Sequence, residues 1–187
     1  MAITGLAACG GDDDGDLADG APGADTDAAA GADAAAGDDA AAGDDAAVVE
    51  PTSGYVANFD APSNQDFDEY TDDWVESTTP SHAQDVQIWY SSAVHALIEA
   101  GDPFTAPEGG TAIKRRDSDG DGNPDVIYVM TKQAAGYDPD NGDWYYEVRS
   151  ADGSTVDSDG ALAGCFGCHG GGTGADHDYL RGSDLND

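Results

Sequence analysis

The chain has 187 residues, of which 6 are Lys or Arg and 39 are Asp or Glu, so its formal net charge at pH 7 is -33. A chain this acidic is repelled by polyanions, which excludes binding to nucleic acid or to an anionic membrane surface through charge. No apolar run in the sequence approaches the length of a transmembrane helix. Contact with a membrane is therefore expected only through a lipid anchor.

Residues 1–9 are predicted to be a residual signal segment that ends in a lipobox. Leu6-Ala7-Ala8-Cys9 resembles the bacterial pattern in which signal cleavage leaves a lipidated Cys at the N-terminus. The preceding MAITGL is shorter than a secretory signal and has no basic residue. Cys9 is the predicted lipidation site, and the alternative is an unmodified Cys in a disordered tail. Lipidation predicts a periplasmic or cell-surface location, anchored to a bacterial membrane.

Residues 10–50 are almost wholly Gly, Ala and Asp, with the near-repeat AAAGDDAAAGDDAA at 34–47. This composition offers too little apolar surface to bury a core, and its carboxylates repel one another. The repeated Gly and paired Asp also oppose a stable helix. We therefore predict a disordered linker, followed by one folded domain at residues 51–187.

The pattern of residues 51–187 predicts an α+β domain built on an antiparallel β-meander with one or two packed helices. Residues 81–101 repeat apolar side chains at helical spacing and end at Gly101, which predicts one amphipathic helix, with an extended start as an alternative. Short runs rich in β-branched and aromatic residues, bounded by Gly, Asp and Pro, predict three strands. These runs are residues 111–116, 125–132 and 143–150.

The turn DSDGDGNPD at 117–125 has the Asp spacing of the first half of a calcium-binding loop. Its candidate oxygen ligands for Ca²⁺ occupy alternate positions around Gly122. The twelfth position, usually a bidentate Glu, is Tyr128. The alternative is a solvated acidic hairpin tip without an ion. The candidate ligands are Asp117, Asp119, Asp121, Asn123 and Asp125.

The stretch GCFGCHG at 164–170 contains the C-x-x-C-H spacing of c-type haem attachment, at Cys165, Cys168 and His169. In this reading the two sulfurs add across the vinyl groups of one haem, and the adjacent imidazole binds its iron. A zinc half-site is less favoured because the chain has no second Cys pair. A redox C-x-x-C is also less favoured, because that motif is expected near the start of a strand–helix unit.

Residues 80–180 carry a wider resemblance. The run KQAAGYDPDNGDWYYEVRSADG, followed by CFGCH, resembles the cytochrome P-460 family, whose members show Lys, Gly-Tyr-Asp-Pro, Gly-Asp-Trp and a late C-x-x-C-H in this order. The resemblance implies a β-rich homodimer with one covalent haem c, His169 as the proximal ligand and an open opposite face. Cytochromes c-prime also have a late motif, but they are four-helix bundles, which the predicted strands contradict.

Two further residues are candidates for roles at the haem, the first of them through the resemblance. Some members of the family crosslink a strand lysine to the porphyrin, and EGGTAIK at 108–114 places Lys114 in that position, with Lys132 a weaker competitor. Glu147 is a candidate base for a bound nitrogen substrate. Alternation along its strand puts it on the side of Arg149, so its alternative role is an ion pair at the surface.

The motif spacing, with no Met after His169, predicts that His169 is the only protein ligand to iron, which leaves a site for a small ligand. A second axial ligand from His82, His95, His177 or Met130 is the less favoured alternative. The expected function is oxidation of hydroxylamine or handling of nitric oxide, with electrons passed to another exported carrier. The alternatives are a non-catalytic protein that binds nitric oxide, like cytochrome c-prime-beta, and an electron-transfer cytochrome.

Overall fold

The computed structural model describes residues 50–71, 73–77, 82–101, 103–170 and 177–180. These residues belong to one compact unit, Val49–Asp187. The predicted lipobox at 1–9 with Cys9 and almost all of the predicted linker at 10–50 lie outside the described residues. Among the helices described, none has the length and apolar character needed to cross a membrane.

The unit is an α+β fold in which one antiparallel sheet is the main element, as the sequence predicts. The strands lie in the order β1-β3-β4-β5-β6-β7, and β2 also pairs with β3, so that five consecutive strands from β3 to β7 form a meander. The strands are β1 (Phe67–Glu69), β2 (Val75–Ser77), β3 (Gln84–Ser91), β4 (Thr111–Asp117), β5 (Val126–Lys132), β6 (Trp144–Ser150) and β7 (Val156–Gly160).

The single long helix predicted at 81–101 is wrong in its first half, where the alternative of an extended start is confirmed. Residues Gln84–Ser91 form β3, and only Ser92–Ala100 form a helix, α1, which ends at Gly101 in the left-handed conformation as predicted. Strand β3 pairs with β1 and β2 on one side and with β4 on the other, and these neighbours satisfy its backbone hydrogen bonds. This pairing outweighs the helical spacing of the apolar residues, since propensity is a weak prior against tertiary context.

The other three predicted strands are confirmed to within one residue as β4, β5 and β6. Their acidic and Gly-rich connections contain the predicted turns, at 117–125 and 136–143. The short strands β1, β2 and β7 were not predicted, and β7 lies at the edge beside β6. Residues 139–141 form one 3-10 turn in the second connection.

The sheet has two apolar faces, each packed with its own group of side chains. Alternation along the strands sends neighbouring residues to opposite faces. We call the side of Tyr90, Met130 and Tyr146 the helix face, because α1 and the second helix, α2 (Ala163–His169), pack there. We call the side of Phe59, Trp89 and Ile113 the N-terminal face, because residues 55–67 cover it.

Candidate functional site

A mostly apolar cavity opens on the helix face, between the centre of the sheet and α2. Its apolar wall comes from β3, β4 and β5, and consecutive residues of β4 and of β5 border it, so part of the wall is backbone. The titratable and sulfur-bearing side chains that border it come from five parts of the chain. They are His82, Lys114, Tyr128, Met130, Tyr146, Cys165 and His169.

The C-x-x-C-H stretch is the helix α2, which brings its reactive residues to this cavity. Cys165 and Phe166 pack against the helix-face core, and the ring of His169 lies 6.1 Å from that of Tyr146. The Nδ1 atom of His169 lies 2.8 Å from the carbonyl oxygen of Tyr179. A carbonyl only accepts, so Nδ1 carries the proton and Nε2 retains the lone pair that binds a metal. A partner of this kind is what usually orients a ligating histidine.

A buried ion pair holds the turn that supplies this carbonyl. The Nζ atom of Lys132 lies 2.8 Å from both carboxylate oxygens of Asp178 and 2.7 Å from the carbonyl oxygen of Gly142. Asp178 also accepts a hydrogen bond from the backbone of Ala106. Asp178 and Tyr179 adopt positive φ angles of 49° and 67°, a conformation that costs free energy in non-glycine residues. The ion pair therefore stabilises a strained turn behind His169, and sequence reasoning missed it because its members are 46 residues apart.

Lys114 is brought to the cavity, whereas Lys132 is not. Lys114 lies at the centre of β4, opposite Ile88 of β3 and Tyr128 of β5. Its amine makes no hydrogen bond or ion pair with the part of the chain that the structure describes. Burial lowers the pKa of its amine from 10.5 to about 8, so a neutral, nucleophilic fraction is present near neutral pH.

His82, which immediately precedes β3, is also at the cavity. Its ring lies 4.7 Å from that of Tyr128 and 6.3 Å from that of His169. Burial lowers the pKa of His82 to about 3, and the charges of Lys114, His169 and Arg116 contribute in the same direction. His82 is therefore a neutral imidazole.

The two cysteines of the motif differ in the structure. Cys165 has a free, half-buried thiol, and burial raises its pKa, so that it stays protonated at neutral pH. Cys168 is disulfide-bonded. A thioether to haem requires both sulfurs as thiols, so this disulfide and haem attachment are alternative states of Cys168.

The donor set fits a c-type haem. A mostly apolar wall suits the porphyrin, and His169 offers one Nε2 lone pair to iron. The buried Nδ1 of His82 and hydroxyl of Tyr146 find no hydrogen-bond partner in the described structure, as expected where a polar group faces a ligand. The cavity holds about 50 Å³, so a porphyrin requires α2 to lie further from the sheet.

The interpretation of Glu147 as a catalytic base receives no support from the geometry. Glu147 borders the cavity, but it follows Tyr146 on β6 and its carboxylate is directed to the N-terminal face. There it lies 2.5 Å from the hydroxyl of Ser53 and 2.7 Å from the guanidinium of Arg149. The ion pair with Arg149 was the alternative from the sequence. It is buried rather than at the surface, since Glu147 is 2% exposed and Arg149 is 13% exposed.

The remaining candidate histidines lie away from this cavity. His95 is on α1, 3.8 Å from a carboxylate oxygen of Asp68 and beside the ring of Tyr70. His177 packs against the ring of Phe104. Neither borders the cavity, whereas Met130 does.

The acidic loop brings part of its candidate ligand set together. Oxygen atoms of Asp117, Asp119 and Asp125 lie within 4.8 Å of one another. Burial acts to raise the pKa of the Asp117 carboxyl, but hydrogen bonds from the backbone of Gly122, Gly120 and Asp119 outweigh this effect. The pKa is therefore below its usual value, and the carboxylate is ionised. Asp121 instead accepts hydrogen bonds from the backbone and side-chain amides of Asn123 within the loop, and its carboxylate is not part of this cluster.

A scan against protein-family models gives no match, and a search of curated proteins finds no similar sequence. The geometry of the described residues is therefore the basis for a function.

Proposed function

We propose that this chain is an exported c-type haem protein that oxidises hydroxylamine or handles nitric oxide. Cys165 and Cys168 would hold one haem c and His169 would bind its iron. The observation that carries the proposal is the convergence of the C-x-x-C-H helix, an oriented His169 and an unpartnered Lys114 on one mostly apolar cavity. When bound, the haem would supply the redox-active iron and the site at which a small nitrogen compound binds.

The protein's own residues would prepare this site in distinct ways. The carbonyl of Tyr179 fixes the tautomer of His169, and the ion pair of Lys132 with Asp178 fixes that carbonyl. The apolar wall restricts the entry of water, which strengthens electrostatic interactions at the site. Lys114 adds an amine that is partly neutral near pH 8 and available for a bond to the porphyrin edge.

A bond from Lys114 to the porphyrin would favour the enzyme over the simple gas binder. One amine N–H and one porphyrin C–H bond would be replaced by an N–C bond, and two protons and two electrons would leave to an oxidant such as a peroxide. Without this bond we expect a non-catalytic protein that binds nitric oxide. An electron-transfer cytochrome is the remaining alternative, and it would need a stable second ligand.

The optical spectrum of the purified, fully matured protein tests the proposal directly. A pyridine haemochrome of the c type is expected, and hydroxylamine with an oxidising electron acceptor should reduce the haem over repeated turnovers. A matured protein without covalent haem would overturn the proposal. Covalent haem with nitric oxide binding but no turnover would select the gas-binding alternative.

We also propose that the protein is exported, lipidated at Cys9, homodimeric and served by an exported electron carrier. A mass shift of the N-terminal peptide by acyl chains tests lipidation, and the solution mass tests the dimer. Calcium is a further proposed ligand, favoured by the convergence of Asp117, Asp119 and Asp125.

A further inference from the structure

His82 belongs to the sheet side of the cavity, whereas the residues proposed to hold the haem all belong to α2. His82 lies two residues before β3, and its ring packs in a T-shaped arrangement on that of Tyr128 of β5, with the ring centres 4.7 Å apart. Strand β3 is itself paired with three other strands. A shift of α2 that admits a porphyrin therefore need not move His82. Haem held by α2 would turn its other face to the sheet side of the cavity.

The Nδ1 atom of His82 is a buried polar atom that lacks a partner. It makes no hydrogen bond within the part of the chain that the structure describes. Burial of such an atom costs free energy, so most buried polar atoms in native proteins are paired. His82 borders the cavity, so a ligand bound there could supply the missing partner.

The two histidines at the cavity differ in what their Nδ1 atoms contact. The Nδ1 of His169 donates to the carbonyl oxygen of Tyr179, which fixes the tautomer of that ring. The Nδ1 of His82 has no such partner among the described residues. An imidazole with one proton presents either an N–H group or a lone pair at Nδ1. This atom of His82 can therefore donate to the oxygen of bound nitric oxide or accept from the hydroxyl of hydroxylamine.

We propose that His82 binds the small nitrogen ligand through a hydrogen bond at its Nδ1 atom, while the sixth position of the iron stays open to that ligand. This inference rests on the proposed function and deepens it, because it names the protein group that recognises the ligand. The two histidines then have different roles, since His169 binds the iron and His82 contacts only the ligand. One hydrogen bond of ordinary net strength changes the affinity for a ligand by about threefold to tenfold.

The test uses matured holoproteins with substitutions at three positions. His82→Leu removes the hydrogen bond, and His82→Asn keeps a polar atom at the same distance along the side chain as Nδ1. Tyr146→Phe tests the competing group, because the buried hydroxyl of Tyr146 also lacks a partner and borders the same cavity. His95→Leu is the matched histidine control, since His95 pairs with Asp68 away from the cavity. His82→Phe is a second apolar variant if His82→Leu does not fold.

The N–O stretching frequency of the nitric oxide complex gives the main readout, and it does not depend on turnover. A hydrogen bond to the ligand oxygen weakens the N–O bond, so we expect a lower frequency in the parent, in His82→Asn and in His95→Leu than in His82→Leu. The Kd for nitric oxide should rise by about threefold to tenfold in His82→Leu, and His82→Asn should recover most of this loss. Electron paramagnetic resonance should show high-spin ferric iron in the resting parent and in His82→Leu.

The possible failures are distinguishable. A negative pyridine haemochrome in the matured parent would overturn the proposed function and this inference together. Covalent haem with the same N–O frequency in the parent and in His82→Leu would overturn the role of His82 alone, and a shift found only in Tyr146→Phe would assign the contact to that hydroxyl. A low-spin ferric parent that becomes high-spin in His82→Leu would also overturn the inference, because His82 would then bind the iron rather than the ligand.

Discussion

Charged side chains on the N-terminal face of the central sheet are paired, whereas Lys114 at the cavity on the helix face is not. On the N-terminal face, Glu147 binds Arg149 and Ser53, and Arg115 pairs with Asp60 while its guanidinium stacks on Phe59 and Trp89. On the helix face, the amine of Lys114 has no such partner in the described part of the chain, and the cavity beside it also exposes His82 and His169.

This difference separates stability from ligand binding. Charges that are buried and paired hold the N-terminal face together, and removal of one partner leaves an uncompensated charge. A buried polar group without a partner at a cavity raises the free energy of the folded state. Such a group is expected where a bound ligand supplies the missing partner. Substitution of the unpartnered groups at the cavity should therefore change the haem and its chemistry, whereas substitution of buried, paired charges should change stability.

The largest effect is expected from the two cysteines of α2. Cys165→Ser combined with Cys168→Ser should abolish covalent haem, because no thioether can form. The measurement is the haem stain and intact mass of the matured protein. Each single variant should retain at most one thioether, and full covalent loading of the double variant would contradict the assignment.

Substitution of Lys114 should affect chemistry while it leaves haem attachment intact. Lys114→Ala should retain the c-type haem but lose hydroxylamine oxidation by about 100-fold or more, because the porphyrin bond is missing. Proteolysis of the parent should yield one species that joins the Cys165–His169 peptide, haem and the Lys114 peptide. Lys114→Arg is the matched control, which keeps the charge but should form no bond. Haem held by the two cysteines alone would refute the crosslinked enzyme.

The ion pair behind His169 should affect both stability and the iron. Asp178→Asn should lower the free energy of unfolding by about 3 kcal/mol, because it leaves the buried ammonium of Lys132 without its carboxylate. The double variant with Lys132→Met should lose less, since no lone charge remains. Urea unfolding measures the free energy of unfolding, and the reduction potential of the haem iron should shift if His169 is held less firmly. An unchanged potential in Asp178→Asn would show that the ion pair of Lys132 with Asp178 has only a structural role.

A smaller effect on stability is expected from the opposite face. Glu147→Gln should lower the free energy of unfolding by about 2 kcal/mol, because Arg149 loses its charged partner. The optical spectrum and hydroxylamine oxidation should be unchanged. Loss of turnover at full stability would restore Glu147 as a catalytic base and contradict the separation of the two faces.

The smallest effect is expected at the acidic loop, which belongs to neither face. Millimolar Ca²⁺ should raise the midpoint of thermal unfolding by about 3 °C, because an ion that binds only the folded protein stabilises it. Asp117→Asn should remove this increase, whereas Asp121→Asn should reduce it less, since Asp121 is outside the cluster. Calorimetry without a binding signal at millimolar Ca²⁺ would end the proposal.

The sequence by itself predicted the features that depend on local pattern. These include β4, β5 and β6, the left-handed Gly101 that ends α1, the acidic turn and the chemistry of Cys165–His169. Each is encoded within a few residues, as turn chemistry, strand alternation or motif spacing.

Tertiary structure decided the features that depend on distant partners. The pairing of β3 with three other strands overrode its helical spacing, and the paired strands sent Glu147 and Lys114 to opposite faces. The approach of His82 to His169 could not be predicted from spacing either. Side chains from separate elements meet only when packing brings those elements together, and one local sequence is compatible with many such arrangements.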